Sequence, residues 1–159
     1  MMYQDFLELL RVFESHKVRY IVIGGYAVGI HAEPRFTKDL DILIEPSETN
    51  AKRVYKALNK FGAPTDNLTI EDLATPGLLY MFGVPPLRVD ILNRIKGTNP
   101  SLLIKRGKKI NIADTHLKVV CLEDLIKLKK IADRPQDRVD IMKLKLLNPT
   151  RRKSKKSKK

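Results

Sequence analysis

The chain has 159 residues, 43% of them apolar, and carries 31 Lys and Arg against 18 Asp and Glu, a net charge of +13. That length supports one core, and no apolar run approaches the roughly 20 residues of a membrane-spanning helix, so a protein that spans the membrane on helices is excluded. The single cysteine, Cys121, excludes an internal disulfide and a Cys-rich zinc site, and the start of the chain lacks the features of a secretory signal, which points to a cytoplasmic protein.

Apolar residues at helical spacing, Phe6, Leu7, Leu9, Leu10 and Phe13, predict an amphipathic helix over 5–16. Tyr20 to Ile23 reads as a buried strand that enters a tight turn at Gly24-Gly25, and a helix follows from Tyr26 to His31, closed by Pro34. Leu40 to Ile44 is a second buried strand, and Ser47 is the N-cap of a helix that ends at Phe61. Residues 62–76 read as loop, and 78–82 and 87–92 as two strands joined by Gly83-Val84-Pro85-Pro86. A further pair of short strands is expected at 108–112 and 117–120, then helices over 123–132 and from Pro135 to about Leu147. This order implies an α+β (α/β) domain, a mixed sheet flanked by helices, over 1–148. Residues 149–159 form a disordered basic tail in this reading: Arg151 to Lys159 carries seven positive charges and nothing to bury, and the preceding 150 residues keep +6. A basic fold with a basic tail suits a polyanionic partner.

The chemistry concentrates around residues 24–41. Asp39 and Asp41 stand two apart on a strand, so both carboxylates share one face a few ångströms apart. Like charges this close call for a cation between them, and hard oxygen ligands suit Mg²⁺ or Mn²⁺. Asp90 is a lone acid in the apolar strand Leu87-Arg88-Val89-Asp90-Ile91-Leu92. If that strand lies beside the Asp39 strand, three carboxylates converge and can hold two ions that polarise a phosphoryl group. Gly24-Gly25, between a strand and a helix, lets the backbone approach a phosphate at the positive end of the helix. Arg35 is read either as a fork donor to a triphosphate or as a loop anchor, and Thr37 as a backbone-bonding residue beside the site. His31 is expected to cap its helix, Cys121 to be a small buried hydrophobe, and Arg134, Asp137 and Asp140 to form a structural ion network.

The stretch IVIGGYAVGIHAEPRFTKDLDILI, Ile21 to Ile44, resembles the GG-x-A…H…R-x-T-x-D-L-D signature of minimal nucleotidyltransferases of the polymerase-β-like superfamily, above all the AbiEii-like and MenT-like toxins. Asp90 falls where that superfamily keeps its third carboxylate, and Asp124 to Ile141 resembles a second pattern that aligns Lys129, Arg134, Asp137 and Asp140. The resemblance implies a short mixed sheet and transfer of a nucleoside monophosphate from an NTP to an acceptor hydroxyl. Asp39, Asp41 and Asp90 would be the catalytic acids and the ligands of two Mg²⁺ or Mn²⁺ ions. Gly24, Gly25, Arg35, Thr37 and Lys129 would bind the nucleotide. Many superfamily members have Gly-Ser where this chain has Gly24-Gly25, so one hydroxyl contact to phosphate is missing here. The implied partners are an NTP, a nucleic-acid acceptor such as tRNA, and an antitoxin protein. Two other readings remain open: an inactive nucleic-acid-binding or regulatory module of the same fold, and an enzyme that modifies an antibiotic hydroxyl. The last is disfavoured because a basic chain repels a cationic drug.

Overall fold

A computed structural model describes residues 2–149, so the expected tail, apart from Pro149, lies outside the described residues. Helix α1, Gln4–Ser15, buries Phe6, Leu7, Leu9, Leu10 and Phe13 along one face. Strand β1, Tyr20–Ile23, has all four side chains buried and runs directly into α2, Gly24–His31. Strand β2 is Asp39–Ile44, and α3, Glu48–Phe61, starts at the expected cap, where Ser47 Oγ accepts from the Asn50 N–H. There follow α4 (Ile70–Ala74), β3 (Leu79–Phe82), β4 (Arg88–Leu92), α5 (Pro100–Lys105), β5 (Lys108–Ile112), β6 (Thr115–Val119), α6 (Leu122–Ala132) and α7 (Pro135–Leu147).

The strands make one six-stranded sheet in the order β3-β4-β2-β1-β6-β5. β1 pairs antiparallel with β2 and parallel with β6, and β2 pairs parallel with β4. The α+β expectation therefore holds; at the centre β1 is a fully buried apolar run, and β2 is one only from Ile42 to Ile44. On the sheet, α1 packs against α3 and β6, while α6 and α7 pair with each other and touch α2. Among the described residues, no helix is long and apolar enough to cross a membrane.

Two short helices depart from the sequence reading. Residues 62–76, expected as loop, contain α4, whose N-cap Thr69 accepts from the Asp72 N–H while Asp72 bonds back to the Thr69 N–H. α5 begins with Asn99 as cap and Pro100 in the first turn. Both are too short to show a hydrophobic period, and only their caps mark them. The helix expected from Tyr26 begins two residues earlier, so the glycine pair is its first turn and not a separate loop.

Candidate active site

Register brings the acids together. In the parallel β2–β4 pair Asp41 stands opposite Asp90 and Asp39 opposite Arg88. Alternation then places Asp39, Asp41, Arg88 and Asp90 on one face. A carboxylate oxygen from each of the three acids lies within 4.8 Å of the others. In the antiparallel β1–β2 pair Ile23 is opposite Asp41, so the next residue, Gly24, enters α2 beside the acid cluster. Gly24 has φ +70°, and a Cβ there would overlap Asp41 Oδ2. A Cβ on Gly25 would sit 2.8 Å from Thr37 Oγ1 and 3.2 Å from Arg35 Nη2. The Thr37 hydroxyl donates to the Asp39 carbonyl at 3.1 Å, fixing the start of β2. Gly24→Ala is expected to cost about 1–2 kcal/mol in backbone strain and to push the Asp41 carboxylate out of the cluster. Thermal melting and Mn²⁺ titration check it.

All eight residues singled out from sequence, Gly24, Gly25, Arg35, Thr37, Asp39, Asp41, Asp90 and Lys129, line one cleft of about 730 Å³. Arg88 and Arg134 line it too. Arg35 is tied down: its Nη2 donates to Asp140 Oδ2 at 3.0 Å and its Nη1 to the Phe36 carbonyl, while Nε is buried without a partner among the described residues. The Lys129 ammonium reaches Asp137 Oδ1 at 3.1 Å and Asp140 Oδ2 at 3.0 Å, and both acids are fully buried. Arg134 closes the network on Asp137 at 2.7 Å. Burial raises the Asp137 carboxyl, but hydrogen bonds from Arg134 and Lys129 prevail and hold it at about 2. The expected ion network thus exists, with Lys129 and Arg35 drawn into it. His31 Nε2 lies 2.7 Å from the Val120 carbonyl, as suits a helix-end anchor. Cys121 is only half-buried, at the N-cap position of α6.

Burial first, then the charges of Asp39 and Asp90, push the Asp41 carboxyl up to about 7. Asp90 is raised as well, by burial and by Asp39, against the lowering hydrogen bond from Arg88. Asp41 has no hydrogen-bond or ion-pair partner among the described residues. A half-buried, unpartnered carboxylate between two others, over a cradle that a single Cβ would fill, fits a hard divalent cation. The donor set is all oxygen, which suits Mg²⁺ or Mn²⁺ over softer metals. Arg88 was not visible as a site residue in the sequence. The readable signal was its place two before Asp90 on the same strand face.

The fold is similar to that of lincosamide antibiotic adenylyltransferase LnuA in its lincomycin-bound crystal structure, with 17% identity, a TM-score of 0.57, and 93% of this chain and 99% of that one covered. It is also similar to TM1012 from Thermotoga maritima, assigned as a nucleotidyltransferase, with 17% identity, a TM-score of 0.58, and 90% and 94% coverage. No curated protein matches the chain. Residues 2–158 match the family described as "Nucleotidyl transferase of unknown function (DUF2204)". That match spans nearly the whole chain, and the chain belongs to this family of nucleotidyltransferases.

Proposed function

We propose that the protein transfers a nucleoside monophosphate from an NTP to a hydroxyl of a nucleic-acid acceptor, with tRNA as the leading acceptor, in the manner of a toxin restrained by an antitoxin. The observation that carries the reaction is the Asp39–Asp41–Asp90 cluster at the mouth of a cleft that the N-terminus of α2 also faces. The free N–H groups of Gly24 and Gly25 would bind the β- and γ-phosphates. Arg35, Thr37 and Lys129 would line the triphosphate's path, Arg35 and Lys129 with charge. Asp39 and Asp41 would hold one divalent ion and Asp39 with Asp90 the second, the ions supplying charge neutralisation at the transferred phosphoryl group. Asp90 would assist removal of the acceptor proton as the acceptor oxygen bonds to the α-phosphorus and pyrophosphate leaves. The acids of this cluster repel one another, which an inactive binding module has no physical reason to keep.

The nucleic-acid acceptor rests on charge: +6 on the first 150 residues and seven more positive charges in the last nine. The likeness to LnuA favours a second reading, a small-molecule hydroxyl as acceptor. Transfer to tRNA and to a lincosamide or aminoglycoside, compared at equal enzyme, separates them. The RNA is expected to be the better acceptor, and a better drug acceptor would overturn the nucleic-acid half of the proposal while leaving the reaction. Removing Arg151 to Lys159 should raise the KM for RNA and flatten its salt dependence. The log–log slope should fall by up to roughly 0.7 for each single-strand phosphate that the tail neutralises. NTP affinity should not change, and equal RNA KM values at two salt concentrations would show that the tail does not touch the acceptor.

A further inference from the structure

The three acids differ in what they are bound to. Asp41 has no partner among the described residues, whereas Arg88 takes both oxygens of Asp90, through Nε to Oδ1 at 3.0 Å and Nη2 to Oδ2 at 3.1 Å. The same Nη2 also reaches Asp39 Oδ2 at 2.5 Å. The sheet register dictates this arrangement. Arg88 is the β4 partner of Asp39 and stands two residues before Asp90, so its side chain rises from the face that carries the acids. A guanidinium stays charged at every accessible pH, and its edge matches a carboxylate with two parallel hydrogen bonds. The Arg88 side chain is 35% exposed, so it is not locked in a core and has solvent into which to turn.

We infer that Arg88 is a built-in counter-cation that occupies the place a cation shared by Asp39 and Asp90 would need. The nucleotide-free protein then holds one divalent ion, at Asp39 and Asp41, and gains the second only when Arg88 swings off Asp90. This rests on the metal-dependent reading given above. A divalent cation and a guanidinium cannot share the same oxygens in a partly buried cleft without strong repulsion. The second ion must therefore displace charge-assisted hydrogen bonds, which weakens it by roughly 10- to 100-fold. A triphosphate entering the cleft offers the freed guanidinium another anionic partner, so nucleotide binding and completion of the two-ion centre are coupled. The consequence is an enzyme whose reactive centre stays incomplete until substrate is present.

Mn²⁺ titration of the full chain, followed by electron paramagnetic resonance and calorimetry, reads the number of bound ions without any turnover. One ion is expected in the nucleotide-free protein and two with a non-hydrolysable NTP analogue, beyond those the analogue binds alone. Arg88→Gln is expected to bind two ions without nucleotide, the second roughly 10- to 100-fold tighter than in the parent protein. Arg88→Lys, which keeps the charge but not the two-pronged contact, should fall between them. Two ions in the nucleotide-free parent protein would overturn the inference whatever the variants do, and would leave the metal-dependent reaction standing. One ion in both the parent and a folded Arg88→Gln would overturn it too, and weaker binding in that variant would show that Arg88 holds Asp90 in place for the metal. No ion in any of these states would overturn the metal-dependent reading and this inference together.

Discussion

Asp41→Asn is expected to abolish nucleotidyl transfer and, in the absence of metal, to make the protein more stable at pH 8. The loss of activity follows from removing one charged ligand at the transferred phosphoryl group, an effect of about 10³-fold or more. The gain in stability follows from linkage. The Asp41 carboxyl sits at about 7 in the folded protein, raised by burial first and then by Asp39 and Asp90, against an ordinary value of 3.8. Between those two values the folded state binds more protons than the unfolded state, so stability falls as pH rises through that window. Above pH 7 the ionised group costs its full amount, up to about 4 kcal/mol, and below pH 4 it costs nothing. Asparagine keeps the shape and removes the charge, so a gain of about 1–3 kcal/mol, or about 2–12 °C in melting temperature, is expected at pH 8. At pH 4 the two proteins should melt together. Mg²⁺ should stabilise the parent protein at pH 8 and leave the variant unmoved. A variant that melts lower than the parent at pH 8 without metal would show that Asp41 is not the strained member of the cluster.

The second large effect is expected at Lys129. Its ammonium stands between Asp137 and Asp140, both fully buried, so Lys129→Met leaves two buried carboxylates short of a cation. Removing one partner of a buried ion pair typically costs 3–5 kcal/mol. Here Asp137 keeps Arg134, and Asp140 keeps Arg35 and Gln136, which puts the cost near the lower end, about 3 kcal/mol. Since α6 and α7 join through this network, the variant should melt about 6–12 °C lower. Adding Asp140→Asn should recover part of the loss, because the excess buried charge is then gone. A Lys129 whose sole role was to meet phosphate would instead lower NTP affinity with no change in melting temperature. Chemical denaturation and NTP titration of the same variants separate the two.

The acid cluster was legible because strands alternate. Asp39 and Asp41 had to share a face, and Asp90, between Val89 and Ile91, had to point to the face opposite both. The glycine pair was legible because it interrupts an apolar strand. Which residues stand opposite one another was not legible, since register depends on how β2 and β4 meet in space. That is why spacing could place Arg88 on the face of Asp90 but not beside Asp39, which it also bonds. Lys129 is one of three lysines in Lys127-Leu128-Lys129-Lys130, and helical spacing alone left its burial open. The contact with α7, which supplies Asp137 and Asp140, decided it. α4 and α5 escaped notice because five or six residues are too few for a hydrophobic period, although Thr69 with Asp72 and Asn99-Pro100 were readable caps.

Whether this cleft moves a nucleoside monophosphate is tested most directly by the position of the transferred label. The full chain is incubated with Mg²⁺, total tRNA and each of the four NTPs, labelled either at the α- or at the γ-phosphate. The α-label is expected to enter the RNA with at least one NTP and the γ-label to be released as pyrophosphate, and EDTA or Asp39→Ala should stop both. Transfer of the γ-label to the acceptor, or no transfer of α-label from any NTP to RNA, protein or small-molecule hydroxyl, would contradict nucleotidyl transfer at this site.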